Sequence, residues 1–215
     1  MKRRIILSLL LTALLASLAP AKTWQIDVPH SSVNFSVRHM VISKATGRFG
    51  KFSSSIEFDV DKMQTGSVEL TVQMESIDTN DEDRDNHLRS EDFFETAKYP
   101  TMTFTSTAVG ELKDGTFTLT GDLTIKDVTR SVTFDCDFHG VLEKGPRGIS
   151  RAGFSAITII NRQDYNITWS RTLDAGGLML GNDVEISIEI EAVLPKEKTE
   201  EKTEEKTKDE SEGKE

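Results

Sequence analysis

Four histidines are the side chains of this 215-residue sequence that titrate nearest neutral pH, so acid–base chemistry would start from them. His30 lies in a turn sequence, DVPHSS, and His139 stands beside Gly140 at a strand end. His39 continues the alternation of Val33, Phe35 and Val37 and is expected on the dry side of a strand. His87 belongs to a polar stretch, RDNHLRSEDFF, that surrounds it with Arg84, Asp85, Arg89 and Glu91. Either His39 or His87 could act as a general base. A metal centre needs ligands converging at fixed spacing, and none of the usual His or Cys patterns is present. There is no G-x-S-x-G and no Gly-rich phosphate loop. Cys136, the single cysteine, shares a face with Val132, Phe134 and Phe138 and reads as a buried thiol. Being unpaired it forms no internal disulfide, and it leaves a homodimer open. A Ser–His–acid set could still assemble in space from the many serines; no metal or cofactor is expected.

The remaining chemistry is apolar. Phe35, Val37, Phe49, Phe52, Met74, Phe104, Phe134 and Ile188 sit on the dry faces of alternating segments, and Phe154 and Trp169 join them as candidate walls of a binding site. The Phe93-Phe94 doublet reads first as a core plug and second as a ligand lid. Gly121, Ala152 and Ala156 are small residues on strand faces, where a filled core would carry bulk. They leave room for a cavity unless neighbours fill the space.

The elements that must position these groups are strands. SVELTVQME puts Val68, Leu70, Val72 and Met74 on one face and Ser67, Glu69, Thr71, Gln73 and Glu75 on the other. TFTLTGDLTI, DVEISIEIEA, VNFSVRH, SIEFDV, MTFTSTA and SVTFDCDF alternate in the same way. Such segments have one dry and one wet face, as antiparallel strands do. About eight strands can be counted, with turn signals at Lys113-Asp114-Gly115 and Lys144-Gly145-Pro146. An antiparallel barrel and a two-sheet sandwich both give this pattern, and periodicity does not choose between them. Thr79 and Glu82 have capping-box spacing and predict a short helix over about Asp81–Arg89. Ser90, followed by Glu91 and Asp92, reads as a second helix start. Alternation stops near Asn161–Tyr165, where a short irregular or helical piece is expected.

The chain opens with Lys2-Arg3-Arg4, an apolar run from Ile5 to Leu15, and Ala19-Pro20-Ala21. This is the pattern of a secretory signal peptide over residues 1–21, cut after Ala21, and the run is too short for a membrane anchor. The expected location is therefore periplasmic or secreted. Residues 195–215 repeat an EKTE unit without an apolar side chain and are expected to be a disordered tail. The signal's three basic residues and the tail's three-acid excess cancel, so residues 22–194 hold the whole net charge of −10. That balance argues against nucleic acid and anionic membrane surfaces as partners.

Four blocks, taken together and in this order, resemble the YceI-like family. They are WQIDVPHSSVNFSVRHMVISKATGRFGKF, ESIDTNDEDRDNHLRSEDFFETAKYPTMTFTST, GDLTIKDVTRSVTFD and INRQDYNITW. The resemblance covers roughly residues 23–194, and its most specific part runs from Ser76 through Arg84–Ser90 and Phe93-Phe94 to Tyr99-Pro100. It implies an all-β, eight-stranded, antiparallel, lipocalin-like barrel with a short helical insert. It also implies an isoprenoid-like or other long-chain amphiphilic lipid as partner, held in the interior without covalent chemistry. Asp127 stands where the family has glycine, and Asn166 where it often has another. Asn accepts a left-handed backbone nearly as glycine does. Head-group selection would fall to polar residues at the mouth: Arg38, His39, His87, Arg89, Arg151, Asn161, Arg162 and Asp164. The competing reading of Arg84, Asp85, Arg162 and Asp164 is that they cap helices and tie loops. Two other functions compete, a lipid-converting enzyme using His39 or His87 and a solid-cored interaction module.

Overall fold

A computed structural model describes residues 22–174 and 176–195. The proposed signal and tail lie outside the described residues, apart from Pro195. Eleven strand segments are present: β1 Lys22–Ile26, β2 Ser32–His39, β3 Ser43–Phe49, β4 Phe52–Phe58, β5 Ser67–Gln73, β6 Ile77–Asp78, β7 Thr101–Val109, β8 Thr116–Ile125, β9 Val128–Leu142, β10 Ser150–Asn161 and β11 Leu180–Leu194. Three pairs act as single bent staves. β1 and β2 are joined by a 3-10 turn at Val28–His30, β3 and β4 by Gly50-Lys51, and β5 and β6 by a 3-10 turn at Met74–Ser76. The result is eight staves, each antiparallel to the next, in chain order. β11 pairs with both β1 and β2, which closes the sheet into a barrel. Closure removes the unpaired edges that a sandwich would have to protect.

Register brings the dry faces into rings. Phe117, Cys136, Ala156, Ile188, Val33, Phe49 and Ile77 follow one another as cross-strand partners around much of the wall. Leu70, Phe104 and Leu123 form a second such series. One end of the barrel carries the β2–β3 hairpin turn, the segment 79–100, the β8–β9 turn and the segment 162–179. The opposite end carries the start of β1 and the end of β11. There Trp24 stacks on Phe58 with centroids 4.7 Å apart, and Met63, Ala152 and Ala192 are buried beside them.

The segment 79–100 contains one helix, α1, Glu82–Arg89. Its N-cap is Asp81, whose carboxylate accepts from the Arg84 N–H. Glu82, Asp83 and Asp85 occupy the first turn and His87 and Arg89 the last, both matched to the helix dipole. The helix lies where expected, but Thr79 is not its cap. The Thr79 N–H and hydroxyl instead donate to the buried carboxylate of Asp85, at 2.8 and 2.6 Å. Ser90 ends α1 rather than opening a second helix. Its N–H and hydroxyl both donate to the His87 carbonyl, and turns follow through the left-handed Glu95. A 3-10 turn at Arg162–Tyr165 fills the stretch where alternation stops, and Asn166 follows it at φ +59°, in the left-handed region. In the β8–β9 turn the left-handed residue is Lys126, not Asp127.

Candidate ligand-binding lumen

Among the described residues, two apolar cavities lie along the barrel. The first, about 110 Å³, is walled by Phe104, Phe117, Leu119, Phe134, Phe154 and Ile188, among others. The second, about 90 Å³, lies under the insert and is walled by Phe35, Val37, Phe49, Phe93, Phe94 and Val184, among others. Val33, Met102 and Ile186 line both, so they form the partition between two chambers. Rotamer freedom and a polarisable sulfur make Met102 the adaptable member of that partition.

Of the sixteen candidate residues, the first chamber takes Phe104, Phe134, Phe154 and Ile188. The second takes Phe35, Val37, Phe49, Phe93, Phe94 and Arg162. Six line neither. Met74 is buried in the surrounding core, with Phe52 packed against it. His39 stands partly buried at the end of β2. Arg89 ties the insert down, donating to the carbonyls of Glu75 and Ile77 at 3.1 and 2.8 Å. His87 sits edge-on to Phe93 and Trp169, centroids 5.0 and 5.1 Å away, with Nε2 3.0 Å from Asp92. This is an outer support behind the Phe93 wall, and neither histidine lines either chamber.

Arg162 is buried, and no carboxylate pairs with it among the described residues. It donates to the Gly181 and Ile167 carbonyls at 2.8 and 2.6 Å and to Asn182 at 3.3 Å. Burial lowers this guanidinium from its ordinary value. Its bonds stitch the β10–β11 connection to the start of β11, so the loop-tying reading describes what its nitrogens do. Asp85 and Arg84 tie loops as well, Arg84 through the Thr79 carbonyl at 2.7 Å.

At the opposite end Asp27, His30 and Glu191 bring ligand-type atoms together. Arg151 already bridges Asp27 and Glu191 as an ion pair, and its hydrogen bond holds the Asp27 carboxyl below the usual range. Cys136 lines the first chamber, and burial, with Asp135 and Asp137 adding, pushes its thiol up to about 12. It is a buried thiol, as expected.

The small residues divide. Ala156 lines the first chamber. Ala152 is fully packed at the far end. A Cβ on Gly121 would come within 2.5 Å of the Phe104 ring, so that gap is filled by phenyl rather than left open. The partition residues were not among the candidate site residues, although Val33 is in phase with Phe35, Met102 with Phe104 and Ile186 with Ile188. Alternation marks them as inward; it cannot mark them as shared between chambers.

The family model for the YceI-like domain matches residues 24–192, nearly the whole described chain. The chain belongs to the YceI-like family. A UPF0312 protein of Staphylococcus aureus strain MSSA476 is 38% identical over 165 residues, covering 77% of this chain and 94% of the relative. Among solved structures, BcnA of Burkholderia cenocepacia superposes with a TM-score of 0.68 at 25% identity, covering 77% of this chain and 98% of that one. A polyisoprenoid-binding domain from Saccharophagus degradans superposes at 0.62, with 19% identity and 82% and 100% of the two chains covered. At that identity the likeness shows the fold alone. In this YceI-like barrel, no helix among the described residues is long and apolar enough to cross a membrane.

Proposed function

We propose that the chain is a binding or carrier protein that takes one isoprenoid-like lipid, such as a polyprenyl or quinone side chain, into its lumen and performs no covalent step. The observation that carries this reading is the pair of apolar chambers, end to end and separated only by Val33, Met102 and Ile186. An engineered apolar cavity of about 150 Å³ holds a benzene-sized guest. The chambers are of the same order in size, so a chain of several isoprene units must push the Met102 partition aside and widen the lumen as it enters. Each buried methylene contributes roughly 0.8 kcal/mol, so a few isoprene units offset an association cost of several kcal/mol. A polyisoprenoid ligand for the distant Saccharophagus degradans barrel is compatible with this cargo. Residues 1–21 act as a cleavable export signal, and residues 22–194 are the binding domain, working in the periplasm or outside the cell. Residues 195–215 are a charged tail that follows the binding domain in sequence.

The test is native mass spectrometry after mild purification and after exposure to geranylgeraniol. One retained lipid per chain is expected. Ala156→Trp, which fills the first chamber, should lower that retention by about tenfold or more while the far-ultraviolet spectrum stays β-rich. An empty protein that never takes up geranylgeraniol would leave the solid-cored module as the better description. His39→Gln and His87→Gln should leave uptake unchanged; a lipid-converting activity abolished by either would replace the carrier with the enzyme.

A further inference from the structure

Among the described residues, nine large hydrophobic side chains are exposed, and four of them gather at one place. Met40, Val41 and Ile42, the β2–β3 hairpin tip, are 39%, 59% and 86% exposed, and Leu178 is 40% exposed. The Met40 N–H donates to the Met179 carbonyl at 2.8 Å, and Val41 lies against Gly177, so tip and loop form one apolar edge. The others are dispersed: Val28, Val60 and Leu142 towards the opposite end, Ile157 and Ile159 on the outer face of β10.

The tip carries two costs at once. Met40 and Val41 both have left-handed backbones, φ +49° and +66°. Glycine or asparagine takes that conformation readily, and a β-branched residue is a steric outlier there. The same residues leave apolar surface in water. Folding gains nothing from either feature.

We infer that this edge, Met40–Val41–Ile42 with Leu178, is a bilayer-docking tip that seats the insert end of the barrel in a lipid surface. The inference rests on the carrier reading, because a lipid cargo comes from a membrane. The edge is continuous with the lumen: Val37 and Leu180 line the second chamber, and Leu180 pairs with His39 beside the tip. Charge is not the attraction. Arg38, Lys44 and Arg171 beside the edge are matched in number by Glu185, Asp183 and Asp174, with Lys44 3.4 Å from Glu185, and the chain carries −10. Apolar insertion into a zwitterionic surface fits this edge, and an anionic surface would repel the molecule as a whole.

The experiment floats the chain, purified after export from a bacterial host, with cargo-free phosphatidylcholine vesicles. Wild type should rise with the vesicles, and added phosphatidylglycerol should lower its recovery. Val41→Gly combined with Ile42→Ser should cut recovery by about tenfold or more, because two apolar side chains no longer insert. The same variant should melt no lower than wild type, since glycine relieves the left-handed strain. It should also still bind geranylgeraniol added from ethanol, as neither residue lines a chamber. Wild type that stays at the bottom, a variant that floats equally, or flotation that needs anionic lipid would each overturn the docking tip. So would tip-dependent self-association in sedimentation without flotation, which would make the occupant a second copy. Flotation through the tip by a protein that takes up no geranylgeraniol would sink the carrier reading and leave the docking tip standing.

Discussion

Cys136 in the wall of the first chamber and Tyr165 in the core around the lumen show how single groups report on burial. Tyr165 is 1% exposed, and its hydroxyl has no hydrogen-bond partner among the described residues. Burial first, and Asp164 second, push it up to about 12 from 10.0. Cys136 rises to about 12 from 9.0 by the same main cause. Both acids keep their protons longer in the folded state than in the unfolded one. Above pH 9.0 for the thiol and 10.0 for the phenol the unfolded chain binds fewer protons, so stability falls as pH rises. Denaturant melts between pH 8 and 11 should show that loss, at about 1.4 kcal/mol per pH unit for each group titrating. Tyr165→Phe removes an unsatisfied hydroxyl. It should be neutral or stabilising by about 1 kcal/mol at pH 7, and should flatten the alkaline limb. A clear destabilisation at pH 7 would mean that the hydroxyl has a partner in solution.

At the scale of elements, the insert between β6 and β7 is the part that makes a chamber out of an open barrel end. Phe93 and Phe94 reach the lumen because α1 and its following turns are pinned by Asp85, Arg84 and Arg89 to the backbone around Thr79, Glu75 and Ile77. Asp85→Ala leaves two buried Thr79 donors without an acceptor, which costs about 1–3 kcal/mol for each group orphaned. Thermal melts should fall accordingly. Geranylgeraniol retention should weaken more than in a variant of equal stability loss at the opposite end, because the cover of the second chamber loosens. Equal weakening in both would show that the insert does not shape the site. The acid-rich block around His87, which could be taken for an acid–base centre, is therefore mainly a fastening of this insert. Sequence could place the helix within a residue, because caps are local. It could not tell whether Thr79 served as cap or as partner of Asp85, because that choice depends on how β6 delivers the chain to the helix.

For the whole molecule the decisive feature is the partition. Met102→Ala should join the chambers and destabilise the empty protein by about 2–5 kcal/mol. A bound chain then occupies the vacated space, so geranylgeraniol should raise the melting temperature more in Met102→Ala than in wild type. An identical ligand shift in both proteins would place Met102 outside the path of the chain. Eight staves are enough to enclose one slim guest and too few for an aqueous channel. The width of the lumen is thus set by strand number, and its continuity by side chains such as Met102.

Which residues face inward was legible in the sequence, because alternation is a property of each strand by itself. The net charge follows from composition, the short helix from its local polar pattern, and the left-handed Asn166 from the glycine that the resembled family often has there. Alternation alone left closure of the sheet open, and the family resemblance supplied it; the bends that merge eleven segments into eight staves and the division of the lumen were not legible. Gly121 makes the point most plainly. A small inward residue suggests a hollow, yet the ring of Phe104 from the neighbouring strand fills it. Empty space is what remains after side chains from different staves have met, and only the three-dimensional register decides which of them meet.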